Sequence, residues 1–214
     1  MSNWRQYRPI EQGEFFVVGC DTAVGGTDYS TAQFISKTKL DVPLVFHSKQ
    51  TTTQMTNDLV PVLERIHDIT GKTPTIAYER NNGGSFEMDR LAMLNRSGKF
   101  RIYMEKTGIG TIDSPDAKKY GWTTNSATRP KMLEDLKNAI DSRLLRIYDE
   151  RTINEMFAFI ITQTSSSWKA QAEQGSHDDL IMSLAIAWQL YQTETQPSVN
   201  SYVPKQSFNK WKIK

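Results

Sequence analysis

Three apolar stretches, far apart in the chain, each meet a carboxylate at one end. Phe15-Phe16-Val17-Val18 runs into Gly19-Cys20-Asp21, Pro74-Thr75-Ile76 runs into Ala77-Tyr78-Glu79, and His177-Asp178-Asp179 opens an apolar run over 180–191. The first two runs have strand length and the third has helix length. A fold that gathers two strand ends and one helix start brings these acids to one point, where they repel unless a cation sits among them. Hard carboxylate oxygens suit magnesium or manganese. The pattern therefore implies a divalent-metal site and, with it, phosphoryl-transfer chemistry.

The rest of the sequence supports an α/β frame for such a site. Strands are expected at 15–19, 31–36 and 44–47, the first two joined by the turn Val24-Gly25-Gly26-Thr27, which makes an antiparallel β-meander. Met55, Leu59, Leu63 and Ile66 fall on one helical stripe over 53–69, closed by Gly71. A strand at 75–79, reached through that helix, is expected to run parallel to one already laid down. Helices are expected at 85–95, 129–140 (capped by Thr128, with Pro130 in its first turn), 150–160 and 176–192. Short strands are expected at 101–104 and 144–148. The polar, turn-rich stretch 108–128 reads as a long functional loop or small hairpin.

Each acidic segment also has a plainer reading. Asp21 followed by Gly25-Gly26 suits an ordinary hairpin with an Asx-type turn. Glu79 could pair with Arg80 or Arg90. Asp178 and Asp179 would suit the dipole of a helix capped by Ser176, and His177 could be a ligand, a phosphate contact or a polar cap. Adjacent acids on a helix point about 100° apart, so periodicity leaves open which of the two faces a ligand.

With 214 residues and 38% hydrophobic content, the chain is long enough for a sizeable core. No apolar run approaches the roughly 20 residues of a membrane span, and the start lacks the apolar core of a signal peptide. The single cysteine, Cys20, excludes an internal disulfide, and its place in a strand-like run points to a buried apolar role. A net charge of +2 does not by itself announce nucleic acid. Residues 195–214 carry Lys205, Lys210, Lys212 and Lys214 without an acid, as a solvated terminus or a tail gripping a polyanion would.

Together, Asp21-Thr22-Ala23-Val24-Gly25-Gly26-Thr27-Asp28-Tyr29-Ser30, Tyr78-Glu79-Arg80-Asn81-Asn82-Gly83 and His177-Asp178-Asp179-Leu180 resemble the nuclease domain of tailed-bacteriophage large terminase subunits. The resemblance spans roughly 15–191. It implies an α/β, ribonuclease H-like fold: a central mixed sheet with an antiparallel β-meander, flanked by helices. It implies a metal-dependent endodeoxyribonuclease that cuts concatemeric viral DNA during genome packaging, in the host cytoplasm. Asp21, Glu79 and Asp179 match the family's catalytic, metal-binding triad. Asp178 is a further candidate ligand, and Asp28 could add a ligand from across the turn, although a turn-stabilising role is the favoured reading. Two Mg2+ or Mn2+ ions are implied as cofactors. The implied partners are double-stranded DNA, an ATPase motor domain, a small terminase subunit and a portal, with no membrane and a monomeric isolated domain.

Full terminases carry the motor before the nuclease, and this sequence has no G-x-x-x-x-G-K-[ST] phosphate loop. Residues 1–14 are then expected as a linker from the motor, 15–193 as the nuclease and 194–214 as a basic tail. Lys118, Lys119 and Arg129, in and beside the loop, are candidate phosphate contacts, with Lys131 a weaker one. Trp122 is expected to pack rather than stack on bases. A RuvC-like resolvase for branched DNA and a non-catalytic DNA- or protein-binding module are the competing readings. An actin/sugar-kinase fold would need a repeated half, and no such repeat is found.

Overall fold

The computed structural model describes residues 3–23, 28–81, 84–106, 118–164, 167–172 and 177–195. Residues 24–27, 82–83, 107–117, Ser176 and 196–214, on which the expected Gly-rich turn, part of the expected long loop, a helix cap and the basic tail fall, lie outside the described residues, as do the side chains of Lys118 and Lys119.

The centre is a seven-stranded mixed sheet. Strands β2 (Phe16–Asp21), β3 (Ser30–Ser36) and β4 (Asp41–Ser48) form the antiparallel meander, with Asp21 opposite Thr31 and Ala32 opposite Phe46. Helix α1 (Thr52–Thr70) then crosses over to β5 (Thr75–Tyr78), which pairs parallel with the far edge of β2. A capping box between Thr51 and Gln54 starts α1, and Gly71, in the left-handed region at φ 67°, stops it. Beyond α2 (Gly84–Leu94), β6 (Arg101–Ile102) extends the parallel side.

Strand alternation sorts the core into two faces. Phe16, Val18, Cys20, Ile76 and Tyr78 pack with α1 and α2, whereas Val17 and Ala77 pack with α3 (Thr128–Asp141) and α5 (Asp179–Thr193). By the same alternation Gly19 and Asp21 belong to the α5 face. Helix α5 is buried from Leu180 to Leu190, because the sheet covers one side and α3 and α4 (Glu150–Ala158) the other. It sits unusually close to β2: a Cβ on Gly19 would lie 2.2 Å from Ser183 O and 2.3 Å from Ala187 N. No helix among the described residues is long and apolar enough to cross a membrane.

Several local expectations need correction. The segment before β2 adds β1 (Trp4–Gln6), an edge strand antiparallel to β4 that sequence reading did not anticipate, with the Trp4 ring edge-on to Phe46. Arg8 follows, bonded to both Glu14 and Asp41. Helix α4 ends at Ala158, and the chain turns into the hairpin β10 (Phe159–Thr164) and β11 (Ser167–Ala172) rather than continuing as helix. Asn125, not Thr128, supplies the oxygen at the start of α3, accepting from the Ala127 and Thr128 amides. The expected strand at 101–104 splits into β6 and β7 (Met104–Lys106), and β7 forms a hairpin with β8 (Lys118–Tyr120). The strand expected at 144–148 shortens to β9 (Arg146–Ile147), parallel to β4.

Candidate metal centre

Parallel pairing of β2 and β5 puts their carboxyl ends side by side, the usual place for a ligand in an open α/β sheet. Asp21 is the last residue of β2, and Glu79 follows β5, its amide donating to Cys20 O at 2.8 Å. On its other side Glu79 bridges to Trp122, whose backbone accepts from Arg80 and donates to Tyr78. Trp122 packs against the core, as expected. Thr31 Oγ1 donates to Asp179 O at 2.8 Å, tying the start of α5 to the neighbouring strand.

These anchors open a cleft of about 640 Å³ whose lining includes Asp21, Asp28, Glu79, Asp178, Asp179 and Arg129. Asp21 and Glu79 are nearly buried, at 8% and 7% exposure. The plainer reading of Glu79 does not hold: Arg90 bonds Glu87 and Asn57, and Arg80 donates to Tyr120 O. Glu79 instead accepts from Asn81 Nδ2 at 3.2 Å. Asp179 Oδ2 accepts from the Tyr29 amide at 3.1 Å, and His177 Nδ1 lies 3.6 Å from it. The His177 ring stands edge-on to Tyr29, which stacks on His47. Asp178 Oδ2 pairs with Arg129 Nη2.

The electrostatics record a crowd of acids. Burial first, then the neighbouring Glu79 carboxylate, with smaller effects from Asp179 and Asp178, holds the Asp21 carboxyl well above its usual range. Burial pushes Asp179 up to about 6, against the opposing pull of the Tyr29 amide and His177. Among the described residues no three His, Cys, Asp or Glu side chains are arranged to hold a metal ion as they stand. The donors nonetheless fit a hard divalent cation in kind. They are carboxylate oxygens facing one cleft, and the mutual repulsion that raises Asp21 is what a cation would relieve.

The sequence-expected residues thus divide. Asp21, Glu79, Asp178, Asp179 and Arg129 come together, with Arg129 paired to Asp178. Lys118 and Lys119 lie on β8, their side chains outside the described residues. Glu155 was missed. From α4 its Oε2 accepts from the Leu180 and Ile181 amides at 2.9 and 3.2 Å. Burial, opposed by those amides and reinforced by Asp179, pushes it up to about 8. In sequence it is one more acid in an amphipathic helix, and only the packing of α4 on α5 exposes its role.

No protein-family model and no curated protein matches the sequence. Solved structures do. The large terminase nuclease domain of Thermus phage P74-26 is 16% identical over 92% of this chain and 90% of that one, with a TM-score of 0.60. The fold is that of a terminase nuclease domain. The large terminase nuclease of thermophilic phage G20c, solved with bound magnesium, is 16% identical over 88% of each chain with a TM-score of 0.56. The human cytomegalovirus terminase nuclease domain, manganese-soaked and inhibitor-bound, is 12% identical over 82% of this chain and 84% of that one with a TM-score of 0.53. At these identities the terminase likeness is one of fold, and the roles of individual side chains rest on the cleft itself.

Proposed function

We propose that this chain is a divalent-metal-dependent endodeoxyribonuclease that cuts concatemeric viral DNA during genome packaging, by two-metal hydrolysis of the phosphodiester bond. The observation that carries the reading is the convergence of Asp21, Glu79, Asp178 and Asp179 on one cleft of a terminase-nuclease fold. The magnesium and manganese reported with the similar nucleases support the choice of ion.

Asp21 lines the same cleft as the strand-borne Glu79 and the helix-borne Asp179 and is influenced by both, which supports a role for it on both sides of the site. Glu79 and Asp179 would each complete one side. Asp179 bears on Asp21 more strongly than Asp178 does, which favours it as the principal helix ligand. When bound, the cations supply Lewis-acid stabilisation of charge and lower the pKa of the attacking water. The protein holds the oxygens rigidly: Asp21 Oδ1 accepts from the Thr22 amide at 2.8 Å, Glu79 is fixed by Asn81, and Asp179 by Tyr29. Without cations the acids repel a phosphate backbone, so DNA engagement and metal loading are coupled.

Lys118, Lys119 and Arg129 would offset that repulsion by contacting phosphates. A motor domain, a small terminase subunit and a portal are the proposed partners. The test is incubation of linear duplex and of a four-way junction with the protein in Mg2+, in Mn2+ and in EDTA. Chelator-sensitive cutting of the duplex is expected. Cutting confined to the junction would point to a resolvase, and no cutting of either to a binding module.

A further inference from the structure

An Asp at a helix N-cap ordinarily turns its carboxylate onto the amides of the second and third helical residues. Asp178 is the N-cap of α5, yet its side chain makes no capping bond. The two amides it would serve, those of Leu180 and Ile181, donate instead to Glu155 Oε2 of α4. Glu155 is itself firmly placed. Asp149, fully buried, accepts from the Thr152 amide and hydroxyl at the start of α4, and Thr152 Oγ1 accepts from Gln33 of β3.

We infer that Glu155 is a positioning residue for the carboxylate cleft: by capping α5 from a neighbouring helix, it frees Asp178 and Asp179 from capping their own helix. The freed carboxylates are both engaged elsewhere, Asp178 with Arg129 and Asp179 with the Tyr29 amide and the cleft. Without the Glu155 oxygen the α5 amides would be left unsatisfied beside an Asp at its most favourable capping position. Asp178 would then swing back onto its own helix, withdrawing one acid and shifting its neighbour. The inference rests on the proposed cation site, since it assigns Glu155 a role in forming that site.

The test is manganese titration by calorimetry, without DNA, on the full chain and three variants, with folding checked by circular dichroism. Glu155→Met keeps length and bulk but offers no oxygen, and it should weaken manganese binding about tenfold or more, as loss of a residue supporting a ligand does. Glu155→Gln retains an acceptor and should stay near the wild-type affinity. Glu155→Asp keeps the charge but retracts the oxygen by one methylene, and it should lose several-fold. This last variant decides the matter if Glu155→Met does not fold. Wild-type binding that persists unchanged in both Glu155→Met and Glu155→Asp overturns the role of Glu155 alone. A wild type that takes up no manganese overturns the cation-site reading beneath it.

Discussion

Arg129 of α3 donates to Asp178 at the start of α5 over 2.5 Å, and both residues line the carboxylate cleft. The contact joins a candidate phosphate ligand to a candidate metal ligand, so neither group is idle without substrate. Both side chains are about one-third exposed, which limits the strength of the pair. The pair makes Arg129 a counter-charge that could be passed from acid to phosphate when DNA and cations arrive.

Arg129→Met should therefore move two measurements in opposite directions. Manganese affinity should rise by up to about fivefold, matching the roughly 0.2–1 kcal/mol of a partly exposed ion pair. Duplex affinity should fall across unrelated sequences, and its salt dependence should flatten by about one unit of slope. Titration calorimetry and a salt series on two duplexes check this. Unchanged DNA binding would confine Arg129 to its pair with Asp178.

The acids differ in what their removal costs. Asp21→Ala, Glu79→Ala and Asp179→Ala should each reduce cleavage by at least the roughly 10- to 100-fold seen for residues merely adjacent to metal ligands. Asp178→Ala should lose less, because Asp178 is paired to Arg129 and bears less strongly on Asp21. Steady-state cleavage with saturating manganese ranks the four. A near-normal rate in any of the first three would remove that residue from the proposed set.

Protonation of Asp179 gives the metal-free protein a pH signature. Its carboxyl titrates near 3.8 in an ordinary environment and about 6 here, so the folded state holds a proton that the unfolded chain releases. That contribution to stability is complete below about pH 4 and is lost as the pH rises through 6. In EDTA, Asp179→Asn should match the wild type at pH 4. At pH 7 it should exceed it by on the order of 2 kcal/mol, several degrees in melting temperature for a chain of this size. Thermal melts at both values test the sign.

Gly19 tests the frame that carries the site. Its missing Cβ is what lets α5 approach β2, and the atoms it would meet belong to backbone, which cannot rotate away. Gly19→Ala should cost about 3 kcal/mol and displace the helix bearing Asp178 and Asp179. Chemical denaturation checks the first effect and manganese titration the second.

The meander, α1, β5 and α5 were legible because each carries its own signal: alternation, a 3.6-residue stripe, or an unbroken apolar run between turn residues. Parity even holds the key to the site, since Gly19 and Asp21 share a face with Val17, and Glu79 with Ala77. The polar β1 was not legible, because an edge strand such as Trp-Arg-Gln is defined by its partner β4 and not by its own pattern. The β10 strand was hidden for a related reason: Phe-Ile-Ile continues an apolar helix as readily as it starts a strand. Glu155 and the Arg129–Asp178 pair depend on helix packing between segments 25 and 49 residues apart, which no local motif records.

The most direct measurement is nicking of supercoiled plasmid by the wild-type chain and by Asp21→Asn, each with manganese and with EDTA. Asp21→Asn keeps the shape of a nearly buried acid of the cluster and removes its charge. The account predicts cutting by the wild type in manganese, none in EDTA, and none by Asp21→Asn in either. Undiminished cutting in EDTA, or cutting by folded Asp21→Asn at the wild-type rate, would contradict it.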